Sequence, residues 1–156
     1  MRTAYKVLAF IIAIEVVVQA MAVVYGVAGL GKWVDDGGIF DKTVLESEDP
    51  PYSEGVGFAI HFMNGTLLIP LLALLLLIFS FFTKLPGATK WAGVVFLLVV
   101  LQITLGLVGH SVPAVGALHG LNAFLLLGAA INTGRLARTA EPLAPKQRPP
   151  AEPELV

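Results

Sequence analysis

His61-Phe62-Met63-Asn64 and His119-Gly120-Leu121-Asn122 repeat one pattern, a histidine followed three residues later by an asparagine. On a helix that spacing puts both polar groups on one face. Two such imidazoles can ligate one metal ion from opposite sides, bond neighbouring helices, or carry a proton. Which chemistry is open to them depends on the elements that carry them and on the medium around those elements.

The medium follows from composition. The chain is 56% hydrophobic and only 13% charged, with a mean hydropathy of +0.83, a profile of membrane proteins. Four apolar stretches, about 7–31, 57–82, 91–109 and 114–133, each approach the roughly 20 residues a helix needs to cross hydrocarbon. They lack the alternation of a membrane barrel, and in lipid a helix satisfies its own backbone. The expected fold is an all-α, integral membrane four-helix bundle over residues 1–136.

Charge sets the orientation. Arg2, Lys6, Lys84, Lys90, Arg135, Arg138, Lys146 and Arg148 all fall on one side of these spans, so both termini are expected in the cytoplasm. The loop 32–56 then lies outside, carrying Asp35, Asp36, Asp41, Glu46, Glu48, Asp49 and Glu54 against Lys32 and Lys42. The net charge of -1 hides this asymmetry, and no nucleic-acid or phosphate site is visible. Ala20-Met21-Ala22 imitates a signal-peptide cleavage site, but the apolar run continues past it and Glu15 interrupts it, so a first span is expected instead. Residues 137–156 are rich in Pro and charge and read as a disordered cytoplasmic tail. The absence of cysteine excludes disulfides, thiolate metal sites and covalent haem attachment.

A second repeat accompanies the first. Gln19 and Gln102 each precede a glycine, Gly26 and Gly109, by seven residues, and each lies in the helix before a His-x-x-Asn helix. The bundle therefore reads as two repeated helical hairpins related by a pseudo-two-fold axis along the membrane normal. From the rise of a helix, His61 and His119 both sit ~6 to 8 Å below the outer hydrocarbon boundary. Glu15, Gln19, Ala22, Gly26 and Gly29 share a face of helix one, and Gln102, Gly106 and Gly109 share one of helix three. Such polar or small stripes face a bundle interior.

Gly26, Gly29, Gly31, Gly57, Gly65, Gly106, Gly109, Gly116 and Gly120 crowd the outer half, while the other half is bulkier, with Leu67 to Leu77 and Leu125 to Leu127. Missing side chains there either open a slot for a flat macrocycle or let helices pack closely. With the slot, His61 and His119 would ligate a haem iron from opposite faces, and Asn64, Asn122, Gln19 or Gln102 would steer each ring through its other nitrogen. Without it, the histidines are interhelical hydrogen-bonding groups, or contacts for a ligand such as a quinone.

The arrangement resembles one four-helix half of haem A synthase. The resemblance rests on a histidine early in helix two, another early in helix four, and Gln102-Ile103-Thr104-Leu105-Gly106 leading through His110 to Leu118-His119. The chain is also similar to small bacterial four-helix membrane proteins with Gln on helices one and three and Leu-His-x-x-Asn on helix four. It covers about residues 7–134. By that likeness His61 and His119 would be the axial ligands of a haem b in the bacterial plasma membrane. The synthase half that oxidises its substrate carries a glutamate one turn before the helix-two histidine, where this chain has Gly57. The likeness is thus to the half that holds haem b.

Remaining polar groups have simpler expectations. His110 reads as an interfacial residue, and a zinc site of His61, His110 and His119 lacks a supporting carboxylate or cysteine. Glu15, near the bilayer midplane, is expected protonated or bonded to Gln19, Gln102 or a partner subunit. Pro70 removes a bond to the carbonyl of Thr66 and predicts a kink; Trp33, Tyr52 and Trp91 read as interface anchors. The expected function is a bis-histidine haem b protein that carries electrons or serves a respiratory or haem-handling complex. Two other readings stand: a cofactor-free accessory or assembly subunit, and a half-size synthase-like oxidoreductase acting as a homodimer.

Overall fold

The computed structural model describes residues 1–47 and 49–139, all-helical apart from connecting turns. The order is α1 (Arg2–Asp35), α2 (Lys42–Leu45), a 3-10 turn (Ser53–Gly55), α3 (Val56–Met63), a π turn (Asn64–Leu68), α4 (Ile69–Ser80), α5 (Ala88–Gly109) and α6 (Pro113–Thr139). The 3-10 turn, α3, the π turn and α4 run on as one span, Ser53–Ser80. With α1, α5 and Pro113–Ala137 it makes four helices long and apolar enough to cross a membrane, the signature of a multi-pass membrane protein.

The helices overrun the apolar stretches for a tertiary reason. Hydropathy marks only the lipid-soluble part of a helix, whereas α1 begins at Arg2 because its first turn is held from outside the helix. The Tyr5 hydroxyl donates to the carbonyl of Ala88 at 2.9 Å and Arg2 Nε donates to that of Thr83 at 3.3 Å. At its other end α1 runs past Gly31 to Asp35, ending at an exposed i,i+4 Lys32–Asp36 pair, and Gly37 with φ +101 turns the chain away. α6 likewise passes residue 133: Ala137 is buried at 5% exposure, so the first positions assigned to a tail belong to the packed bundle. The rest of that expected tail, from residue 140, lies outside the described residues.

The loop after α1 is partly ordered by local capping and stacking. Asp41 accepts a hydrogen bond from the backbone N–H of Val44 at 3.0 Å to start α2. Trp33 stacks on Tyr52, ring centres 5.8 Å apart. Pro70 coincides with the π turn: its missing N–H breaks the regular ladder, and the five residues before Ile69 take the wider i→i+5 turn.

α1 packs on the Ser53–Ser80 span and on α6, and α5 packs on α4 and on α6. The second and fourth spans therefore face each other across the bundle diagonal. The apolar core occupies the end that holds Tyr5 and the start of α5, with Ile12, Leu76, Val95 and Val99 almost wholly buried. Outward-facing apolar side chains such as Phe124, Leu97 and Met21 are 66–74% exposed, fitting contact with lipid. Above that core, toward α2, the interior becomes polar, and there the two histidines lie.

Candidate functional site

His61 on α3 and His119 on α6 meet across the diagonal, ring centres 6.0 Å apart and planes inclined by 64°. Each ring is aimed by a main-chain carbonyl of the preceding span: Nδ1 of His61 lies 3.2 Å from the carbonyl oxygen of Gln19, and Nδ1 of His119 lies 2.9 Å from that of Gln102. A carbonyl oxygen only accepts, so Nδ1 is the protonated nitrogen in both rings and each Nε2 carries a lone pair. These carbonyls already serve their own helices and use a second lone pair for the imidazole.

Sequence reasoning finds the glutamines but assigns the steering to side-chain amides. The interior atoms that steer are backbone oxygens, available because small residues let the helices close. A Cβ on Gly106, one turn after Gln102, would lie 3.1 Å from His119 Cε1 and Nδ1, so glycine there lets the ring approach the helix. A Cβ on Gly57 would lie 2.3 Å from the carbonyl oxygen of Ala22, which fixes α3 against α1 one turn from His61.

The second hairpin forms a closed network. Asn122 Nδ2 donates to the carbonyl of Leu98 at 3.0 Å and to Gln102 Oε1 at 2.7 Å. That bond turns the other end of the Gln102 amide to His119, Nε2 to Nε2 at 3.1 Å. With Nδ1 of His119 protonated, the amide must be the donor and the ring the acceptor. Asn122 is 3% exposed and its Oδ1 has no partner.

The first hairpin carries a carboxylate where the second has an aliphatic side chain. Glu15 stands four before Gln19, where Leu98 stands four before Gln102, and Asn64 Nδ2 reaches Glu15 Oε2 at 3.4 Å. Asn64 is thereby drawn from Gln19, whose amide is buried at 8% exposure with both Nε2 and Oε1 unpartnered. Gly65, in the π turn, makes room for it: a Cβ there would be 3.3 Å from Gln19 Oε1. Nε2 of His61 makes no hydrogen bond among the described residues.

All eight residues selected from the sequence, His61, His119, Asn64, Asn122, Gln19, Gln102, Gly65 and Gly106, come together at this level. His110 does not; it is exposed after the last turn of α5. Among the described residues no group of three or more His, Cys, Asp or Glu is arranged to hold a metal ion, so the three-histidine zinc site is not formed. Most other outer glycines serve packing: a Cβ on Gly26 would lie 3.0 Å from the Phe58 ring, one on Gly29 would run into the Glu54 side chain, and one on Gly109 would run into the backbone of Gly116. Gly31 and Gly120 face open space. Comparison of the chain with protein-family models, curated proteins and solved structures gives no match.

Proposed function

We propose that the chain is a haem b protein of the bacterial plasma membrane, with His61 and His119 as its axial ligands, carrying electrons or handling haem within a larger respiratory complex. The observation that carries the reading is the histidine pair itself. Two imidazoles sharing one metal have centres about 6 Å apart, from a bond of roughly 2 Å and roughly 1 Å from nitrogen to ring centre on each side. The observed separation is 6.0 Å. At His61 the tautomer also fits, since Nδ1–H bonded to a carbonyl leaves Nε2 as the ligating atom and raises its basicity.

When bound, haem supplies a one-electron couple. The chain's own part is to aim the two rings through Gln19 and Gln102, to exclude water with the apolar core beneath, and to set the polarity around the site. The same Nδ1-to-glutamine bond in both hairpins supports the two-hairpin repeat, and the basic residues at one end support cytoplasmic termini. The likeness to the haem b half of haem A synthase agrees with Gly57: a glutamate there would collide with the α1 backbone. That argues against a half-size oxidoreductase of the synthase kind.

One observation favours a second reading, a cofactor-free accessory subunit. The Gln102 amide engages His119 Nε2, which makes the ring an interhelical hydrogen-bonding group. A dithionite-reduced minus oxidised optical spectrum of protein purified in detergent, with pyridine haemochrome stoichiometry, separates the two. Low-spin bands at about one haem per chain support ligation; a folded, colourless protein from haem-replete cells supports the accessory subunit.

A further inference from the structure

Glu15 is the one carboxylate inside the four apolar stretches of the chain. It lies about 12 Å past the start of the first stretch, from the rise of a helix, and is part-buried. Among the described residues its only hydrogen bond is the 3.4 Å contact from Asn64 Nδ2, and no basic side chain pairs with it. From the elements packed on α1, the titratable groups nearest this level are His61 on α3 and His119 on α6, both turned by Nδ1 to main-chain carbonyls. Arg2, Lys6, Lys32 and Asp35 on α1, Glu54 on the second span and Arg135 on α6 stand toward the helix ends. An ionised carboxylate left in hydrocarbon without a counter-charge is costly, so either a cation or a proton must neutralise it.

Gln19 distinguishes these. Four residues on from Glu15, it shares the same face of α1, the two Cβ atoms about 5–6 Å apart. Its side chain is buried at 8% exposure, and neither Nε2 nor Oε1 has a partner. The amide oxygen lies against the π turn, where a Cβ on Gly65 would be 3.3 Å away, beside the Asn64 that reaches Glu15. An amide unpartnered at both ends calls for a group that donates and accepts together. A carboxylate only accepts, and would leave Oε1 facing another oxygen. A carboxylic acid does both, its O–H meeting Oε1 while its carbonyl takes Nε2–H. The second hairpin has no counterpart: Leu98 stands where Glu15 does, and the Gln102 amide is engaged by Asn122 and His119.

We propose that Glu15, Gln19 and Asn64 form a proton-binding site inside the membrane. The Glu15 carboxylate takes one proton from hydronium, leaving water, and the O–H bond so formed donates to Gln19 Oε1. Gln19 Nε2 and Asn64 Nδ2 donate to the acid's carbonyl oxygen, and release hands the proton back to water. The site does not depend on the haem reading.

The experiment treats the full chain in detergent with dicyclohexylcarbodiimide, an apolar reagent that adds to carboxylic acids, and locates the adduct by mass spectrometry across a pH series. One adduct per chain is expected, on Glu15, forming more slowly as pH rises and absent from Glu15→Gln. The infrared spectrum should show the carbonyl band of an acid that Glu15→Gln removes. In Gln19→Leu and Gln19→Met that band should move to higher frequency, because the carbonyl loses a donor. Labelling should slow about threefold in both, the worth of one membrane hydrogen bond. A Glu15 that is unlabelled at every pH and shows no acid band, in protein whose circular dichroism is helical, overturns the proposal. So does labelling suppressed by sodium chloride but not by choline chloride, which would assign the site to a metal cation. A band unmoved in both Gln19 variants overturns the three-residue site and leaves Glu15 an isolated acid.

Discussion

Gly57→Ala tests whether the outer glycines exist for close packing. The added Cβ would lie 2.3 Å from the carbonyl oxygen of Ala22 and 2.9 Å from the backbone nitrogen of Gly26. An ordinary carbon–oxygen contact is about 3.3 Å, and both partners are main chain, so no rotamer change relieves the overlap. α1 and α3 must part by roughly 1 Å at that point. The bond from His61 Nδ1 to the Gln19 carbonyl, 3.2 Å long and about one turn further along the same interface, would then exceed hydrogen-bonding reach. Overpacking of this kind costs about 1–3 kcal/mol, against a gain of up to ~1 kcal/mol from replacing a helical glycine by alanine. Gly120 is the control: a Cβ there meets nothing within 4 Å, so Gly120→Ala should be neutral or stabilising. Unfolding of the two proteins from detergent micelles by dodecyl sulfate, followed by circular dichroism at helix wavelengths, measures the difference. The His61 ring ¹⁵N resonances report the lost bond. Equal stability of Gly57→Ala and Gly120→Ala would refute the packing argument and return Gly57 to the slot interpretation.

The remaining predictions concern single groups. On the proposed haem reading, His61→Ala and His119→Ala should lose haem while His110→Ala, altering an exposed residue, should retain it, as counted by pyridine haemochrome per chain. Tyr5→Phe removes the buried bond to the carbonyl of Ala88 and should cost about 0.5–1.5 kcal/mol in the same dodecyl sulfate unfolding, with the spectrum of any bound haem unaltered. Asn122→Leu removes two hydrogen bonds at once, to Leu98 and Gln102, and should destabilise by about 1–2 kcal/mol. It should also loosen the Gln102 amide, so a shift of the His119 Nε2 resonance checks it independently. Glu15→Leu frees Asn64 to turn toward Gln19, as Asn122 does toward Gln102. The ¹⁵N signal of His61 Nε2 should then come to resemble that of His119, and an unmoved signal would show that Glu15 is not what distinguishes the hairpins.

The all-helical, four-span class of the fold was legible in one dimension, and so was the set of polar residues that gather between the helices. Uninterrupted apolar runs can satisfy their backbone in lipid only as helices, so four spans are readable from hydropathy alone. A polar face repeated at helical spacing in such spans points inward, which is why His61, His119, the glutamines and the asparagines stand out in the sequence. Helix ends were less legible: Arg2 and Ala137 are helical through contacts with Thr83 and with the core, and no local pattern encodes a partner so distant along the chain. The π turn before Pro70 sits where the proline predicts a disturbance, but its width depends on how the freed backbone is accommodated.

Which atoms pair with the imidazoles was settled by helix packing. That carbonyl oxygens of Gln19 and Gln102, and not their amides, receive the imidazoles depends on ångström-level approach of α3 to α1 and of α6 to α5, through Gly57 and Gly106. That the two hairpins differ chemically, one amide capping His119 and the other unpartnered, depends on where Asn64 and Asn122 can reach. Hydrophobicity and period are carried by each helix alone and survive in one dimension. Hydrogen-bond choice is a competition among groups brought together from different helices, and it is settled only when the helices pack.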